Sequence, residues 1–354
     1  MAVEGSRSVL IVGAGAIGSL VGARLALARR PVILVGRPEP MRAIREQGLT
    51  LERPGHRPRT VRVLQAVSDW AELDAERLAG VGLAVLTTKA HDTEAAAREL
   101  TAHLPSEVPL LVLQNGVGGV GRARGVVGSR PLLAGAITLL AVRPRPATVR
   151  GLNRHGGLGL AAVTASTEVL VGIASLFADS GFSTQVHADY RAMAWSKLLL
   201  NMLGNAVPAI VNLPPERVFS DLALCRLEIT AFREALAVMR AQGLPPVALP
   251  GYPVPVYAWL LEHLPMAILH RVLPRLLAAG RAGKQPSLQI DLDAGRPHSE
   301  VEGLNGAVMQ AGLELGVPVP ANALIYRTLS AIVQGRIPRL AYAANPHSLL
   351  APLR

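Results

Sequence analysis

The hexapeptide Gly13-Ala14-Gly15-Ala16-Ile17-Gly18 follows directly on the apolar run Val9-Leu10-Ile11-Val12 and opens a helical pattern that runs to about residue 29. Strand, glycine turn and helix in that order constrain the fold more than any other feature of the chain. The first glycine permits the tight turn, the second lets a phosphate approach the backbone, and the third lets the helix pack on the strand. The start of the helix then offers unpaired N–H groups and the positive end of its dipole. The expected ligand is the pyrophosphate of a dinucleotide, held by Gly13, Ala14, Gly15, Ala16, Ile17 and Gly18. The alternative is a glycine turn that binds nothing; the flanking strand and helix argue against it.

The next apolar run decides which dinucleotide. A site for NAD ends its second strand with Asp or Glu, which binds the ribose 2′-hydroxyl. Here residues 32–35 lead into Gly36 and Arg37. A guanidinium at that place matches a 2′-phosphate through a bidentate, charge-assisted contact. NADP is therefore the expected cofactor. Glu39 is the competing acid, two residues further on and behind Pro38.

Further β-branched or leucine runs occupy residues 61–64, 81–87, 110–113, 132–137, 148–150, 157–161 and 182–185, with a helix expected over 167–180. Strand–helix alternation at this spacing predicts a parallel sheet covered on both faces. From about residue 189 the texture changes to helical patterns over 190–210, 222–242, 256–279, 300–315 and 322–334, punctuated by Gly and Pro. The expected fold class is α/β. A Rossmann-like doubly wound domain covers residues 1–187, and an all-α domain follows over 188–354. The tail after residue 338 reads as loosely structured.

Composition narrows the function. At 354 residues the chain exceeds one ordinary domain, and its 50% hydrophobic and 17% charged content excludes a disordered tail. A single cysteine, Cys225, excludes an intrachain disulfide and fits a reducing cytoplasm. The formal charge is +11, yet only three basic residues are lysine: Lys89, Lys197 and Lys284. The arginines are scattered. Their densest group, Arg53, Arg57, Arg59 and Arg62, has no aromatic residue interleaved, which argues against nucleic acid and for small anionic ligands. No run is long and apolar enough for a membrane span. Residues 1–22 mimic a signal peptide only superficially, because the glycine loop explains the apolar stretch. The histidines lack metal-ligand spacing, so no metal is expected, and Ser287 and Asp291 have no adjacent histidine for a triad.

In the segment AWSKLLLNMLGNAVPAI, Lys197, Asn201 and Asn205 interrupt an apolar helix at i, i+4 and i+8. Over eight residues such a series drifts only about 80° around the axis, so a single polar stripe is expected. Buried ammonium and amide groups are costly without partners, and a bound polar ligand is one such partner. The alternative is a solvated helix face. A retained lysine in an arginine-rich chain points instead to a compact ammonium able to release a proton, and burial favours its neutral form. Lys89 lies just past the strand run of residues 81–87, at its carboxyl end, and Asn115 follows that of 110–113, both where ligands of open α/β sheets bind.

With these motifs the chain resembles the ketopantoate reductase (2-dehydropantoate 2-reductase) family. The likeness runs in order through GAGAIG, TTKA, QNGVG, KLLLNMLGN and SLQIDLDAGRPHSEVEGLNGAV, over about residues 8–334. It implies a C-terminal domain like that of 6-phosphogluconate dehydrogenase and NADPH as the reductant. It also implies a small anionic 2-oxo acid as substrate, reduced at C2 to a D-2-hydroxy acid on the pantothenate route to coenzyme A. A cytoplasmic homodimer formed through the helical domain is implied as well. By the resemblance, Gly13 to Gly18, Arg37 and Lys89 hold the cofactor, and Asn115 serves both cofactor and substrate. Lys197 is the general acid, Asn201 and Asn205 position the substrate, and Ser287 binds its carboxylate. Glu300 completes the site, with Asp291 in support.

Two departures stand out. Residues 296–300 carry one residue more than the family pattern, which makes Glu302 a rival to Glu300. The segment 243–284 is longer and more apolar than expected, which leaves room for a reshaped pocket, a dimer surface, a membrane-leaning patch or simply an added helical pair. The same chemistry on a bulkier 2-oxo acid or ketone is thus a second reading. A non-catalytic NADP-binding sensor is a third, opposed by the intact Lys197, Asn201 and Asn205 set.

Overall fold

In the computed structural model, which describes residues 7–62, 64–281 and 285–353, the apolar runs become strands whose side chains feed two separate cores. The strands are β1 (Ser8–Val12), β2 (Val32–Val35), β3 (Leu49–Glu52), β4 (Arg59–Val61), β5 (Gln65–Val67) and β6 (Val81–Leu86), then β7 (Leu110–Leu113), β8 (Leu132–Ile137), β9 (Ala141–Arg145), β10 (Thr148–Gly151), β11 (Leu158–Ala162) and β12 (Thr184–His187). Successive residues of a strand point to opposite faces. Val9, Ile11, Leu34 and Val85 enter one core with the helices Ala16–Leu27 and Thr167–Asp179. Leu10, Val12, Ile33 and Leu86 enter the other with the helices Thr93–His103 and Gly119–Val127. Continuous apolar strands are what such double coverage requires.

The main sheet has the order β12-β11-β8-β7-β6-β1-β2-β5. Its strands are parallel except where β11 meets β8. The order reverses at β1, with β2 on one side and β6 on the other. That switch point brings the carboxyl ends of β1, β2 and β6 together, where an open α/β sheet binds its ligand. A second sheet, β4-β3-β10-β9, was not anticipated. Of the run expected at 61–64 only Val61 is in a strand, as the end of β4; β5 begins after the run, at Gln65, in the other sheet, and Val63 lies outside the described residues.

The chain divides into two compact units. The first comprises residues 1–114, 118–194 and 249–252, and the second 115–117, 195–248 and 253–354. In the second unit the helix Leu222–Ala241 is capped by Asp221, whose carboxylate accepts from the Ala223 and Leu224 N–H groups. Its inward face repeats Leu224, Leu227, Ala231, Ala235 and Val238. Glu234 of this helix accepts from the backbone N–H groups of Ala321 and Asn322, at 2.9 Å each, and so caps the helix Pro320–Val333.

Three expectations about helices change. The helix expected over 190–210 ends at Met202 and resumes as Ala206–Val211, because Gly204 turns at φ +63° and its N–H is taken by the Glu228 carboxylate at 2.9 Å. The helix expected over 256–279 is two, Val254–His263 and Met266–Arg281, since Pro265 drives Leu264 into an extended conformation. Residues 282–284, with Lys284, lie outside the described residues. The pattern at 300–315 begins as a 3-10 turn, Glu300–Gly303, before the helix Asn305–Leu315.

The tail is not loose. Leu349 is buried, His347 meets Asp221 at 2.6 Å, and Arg339 meets Asp293 at 2.8 Å. Among the described residues no helix is long and apolar enough to cross a membrane.

Candidate functional site

The glycine loop closes the carboxyl end of β1, and its three glycines do different things. Gly13 sits at φ +102°, and a Cβ there would lie 2.6 Å from the Thr88 nitrogen. A Cβ on Gly18 would run into the Gly13 carbonyl oxygen and reach the Thr87 hydroxyl at 2.6 Å. A Cβ on Gly15 would meet nothing nearer than 4.0 Å. Gly13 and Gly18 therefore serve the packing of loop, helix and β6, while Gly15 keeps open space above the backbone.

Gly15 also begins the helix Ala16–Leu27, which has no side-chain cap and no acidic residue in its first turn. Its first N–H groups, at Ala16 and Ile17, remain available to an anion. The Thr87 hydroxyl, just past β6, donates to the Gly13 carbonyl at 2.6 Å and locks the turn. Gln114 ties the neighbouring strand ends: its amide donates to the Thr88 carbonyl at 2.9 Å, and its oxygen accepts from Thr93.

Arg37 follows β2 and Gly36, exposed, at the N-cap of the helix Pro38–Gln47. Glu39 lies in the first turn of that helix, where an acid complements the dipole, so its presence has a structural explanation. A second guanidinium joins Arg37. Arg143, on β9, donates to the Ala14 carbonyl of the glycine loop at 2.6 Å. Burial, then the nearby positive charge of Arg37, pulls the Arg143 pKa below its usual value, with Glu39 opposing. Neither arginine has an ion-pair partner among the described residues. Two cations without an ion pair, beside an uncapped helix start and an open glycine, suit a multiply phosphorylated ligand. Sequence reasoning missed Arg143, because nothing in AVRPR marks one arginine among many. Lys89, half-buried, is the N-cap of the short turn Ala90–Asp92 that follows β6.

In the second unit a chain of polar groups gathers most of the remaining sequence candidates. Asn201 donates to the Asn115 side-chain oxygen at 3.3 Å. Asn205 donates to the Asn201 carbonyl at 3.0 Å and to the Ser287 hydroxyl at 3.3 Å. The Asn205 side-chain oxygen accepts from the Leu288 N–H at 3.2 Å. Asn115, Asn201, Asn205 and Ser287 are thus one hydrogen-bonded set. The expected single-helix stripe is corrected in one respect: Asn205 lies past the helix end, as the N-cap residue of Ala206–Val211.

Lys197 lies one turn before Asn201 on the helix Tyr190–Met202 and is 8% exposed. The segment 115–117 is anchored by the Val117 N–H to the Gly303 carbonyl at 3.1 Å, and Gly116 sits at φ +78° with no room for a Cβ against Gly303. Gly303 ends the turn that starts at Glu300, so Asn115 and Glu300 belong to one local assembly. Glu300 is half-buried and Glu302 exposed. Asp291 is buried, paired with Arg296 at 2.9 Å, and shares the helix Ser287–Asp293 with Ser287. Among the described residues no three His, Cys, Asp or Glu side chains gather to hold a metal ion.

Comparison with known proteins places the chain in a family. Residues 9–164 match the model of ketopantoate reductase PanE/ApbA, and residues 189–333 match that of its C-terminal domain. A 2-dehydropantoate 2-reductase of Caulobacter vibrioides is 30% identical over 328 residues, covering 92% of this chain and 98% of its own length. One from Halobacterium salinarum is 28% identical over 331 residues, covering 92% and 97%. The crystal structure of a PanE/ApbA family ketopantoate reductase from Ralstonia eutropha superposes with a TM-score of 0.74 at 27% identity, covering 93% of this chain and 99% of that one. On both the sequence and the fold, the chain belongs to the ketopantoate reductase PanE/ApbA family of oxidoreductases.

Proposed function

We propose that the chain reduces 2-dehydropantoate to D-pantoate with NADPH, on the route to pantothenate, and that Lys197 is the general acid. The bound cofactor supplies a hydride to C2 of the ketone. The protein's own residues do the rest. The loop from Gly13 to Gly18 holds the pyrophosphate at the uncapped helix start. Arg37 and Arg143 flank the 2′-phosphate, and Lys89 contributes a further cation to the cofactor.

As C2 gains the hydride, negative charge builds on the ketone oxygen. The Lys197 ammonium hydrogen-bonds that oxygen and transfers a proton to it, so that ketone, hydride and proton balance as the alcohol. Asn201 and Asn205 orient the substrate beside the ammonium. Asn115 bridges substrate and cofactor, Ser287 receives the carboxylate, and Glu300 accepts from the substrate hydroxyl. The observation that carries this reading is a buried lysine one helical turn from a set of amides and a hydroxyl that are themselves fixed by hydrogen bonds. Preorganised donors of this kind contribute most where charge develops.

The test is oxidation of NADPH by the purified protein, with 2-dehydropantoate and a panel of bulkier 2-oxo acids. Turnover on 2-dehydropantoate is expected. Turnover confined to bulkier acids would move the substrate assignment, and NADPH binding without turnover on any of them would overturn the enzymatic reading.

A further inference from the structure

The first unit contains a cavity of about 240 Å³ whose lining includes the guanidinium groups of Arg24, Arg53 and Arg154, beside His56, with no carboxylate. It is distinct from the glycine loop. Arg24 lies eight residues after Ala16 on the same helix, a rise of about 12 Å. The guanidinium of Arg24 is held in place, stacked 4.1 Å from the Phe182 ring centroid and donating to the Gly181 carbonyl. Arg53 begins the turn that carries Gly55 at φ +77°. A Cβ on Gly55 would lie 3.2 Å from the Arg154 guanidinium, so the turn and Arg154 close on one another. Among the described residues, none of the three arginines has an ion-pair partner.

Burial, then the positive charge of Arg53, lowers the Arg24 pKa to about 10. Asn153, also in the lining, gives its amide to the Thr138 and His155 carbonyls and accepts from the Leu140 N–H. It therefore frames the cavity, and the guanidinium groups are its unmatched charge. Guanidinium forks bind phosphate oxygens bidentately, and three of them match more than one negative charge.

We propose that this cavity is a second anion site, which takes a small molecule bearing a phosphate group. Ligand binding there stabilises the unit and relieves the repulsion between Arg24 and Arg53.

The test is calorimetric titration of the full-length protein with inorganic phosphate, pyrophosphate and citrate in a phosphate-free buffer. Wild type, Arg37→Gln, the double variant Arg53→Gln/Arg154→Gln and Arg154→Glu are compared. The titrations are run on protein saturated with NADP, which fills the dinucleotide site, so phosphate and pyrophosphate are expected to bind wild type and Arg37→Gln alike. Their affinity should fall at least about tenfold in the double variant, as lost charge-assisted bonds imply. Arg154 is exposed, so Arg154→Glu leaves the fold intact and decides the matter should the double variant misfold. Absence of phosphate binding in wild type, unchanged affinity in the well-folded variants, loss only in Arg37→Gln, or binding of citrate alone would each overturn the proposal.

Discussion

Asn205 donates from its side-chain amide to the main-chain carbonyl of Asn201 at 3.0 Å, across the break that ends the helix Tyr190–Met202. The carbonyls of a terminal helical turn lack intrahelical partners, and this bond satisfies one of them. The same side chain reaches Ser287 and Leu288, so it joins the end of the lysine-bearing helix to the segment proposed to bind the substrate carboxylate.

Asn205→Ala should therefore act twice. Loss of three hydrogen bonds at a buried position should reduce stability by about 1–3 kcal/mol. It should also raise KM for 2-dehydropantoate more than it lowers kcat, because Ser287 loses its positioning. Urea denaturation and steady-state kinetics measure the two effects, and an unchanged KM would contradict the positioning role.

Arg37→Ala and Arg143→Ala should each raise KM for NADPH by about 10- to 100-fold, while KM for NADH changes by a few-fold at most. The asymmetry follows because only NADPH carries the 2′-phosphate that a charge-assisted hydrogen bond would hold. Kinetics with both cofactors check it. An equal loss for NADH and NADPH in Arg143→Ala would show that this residue acts on the glycine loop, through the Ala14 carbonyl, and not on the phosphate.

Glu300 and Glu302 are separated by burial. Glu300→Gln should lower kcat/KM by at least about tenfold, whereas Glu302→Gln, on an exposed side chain, should stay within about twofold of wild type. The reverse order would assign the site to Glu302.

These predictions also show what the sequence made legible. The parallel strands were readable because burial on both faces demands unbroken apolar runs, as in LLVL at residues 110–113. Lys197 and Asn201 were readable because polar groups on an apolar helix need a reason, and Asn205 because it continues their spacing past the helix end. The break at Gly204 was not, since the apolar pattern runs through it and the group that caps it, Glu228, lies on another helix. Pro265 was a visible stop signal that the apolar pattern on either side outweighed. The second sheet was hidden by strands as short and exposed as Arg59–Val61, and the docking of the tail by polar contacts such as His347 to Asp221.

His187 supplies a pH dependence. Its Nε2 is buried without a hydrogen-bond partner among the described residues, and burial lowers its pKa below the usual value. The unfolded chain then binds a proton that the native state resists. The penalty is absent above about pH 6.5 and grows as pH falls below that value toward the depressed native pKa. His187→Leu should therefore gain stability relative to wild type as pH drops from about 7.5 to 5, by up to about 1.4 kcal/mol per pH unit. Denaturant melts of both proteins across that range measure the difference; a pH-independent difference would contradict it.

The most direct test of the account is the turnover of Lys197→Ala with NADPH and 2-dehydropantoate, together with direct measurement of NADPH binding. The account predicts that kcat falls by at least about 10²-fold while NADPH affinity stays near wild type, and that Lys197→Arg, which cannot release its proton, does not restore the rate. A kcat for Lys197→Ala within a few-fold of wild type would contradict it.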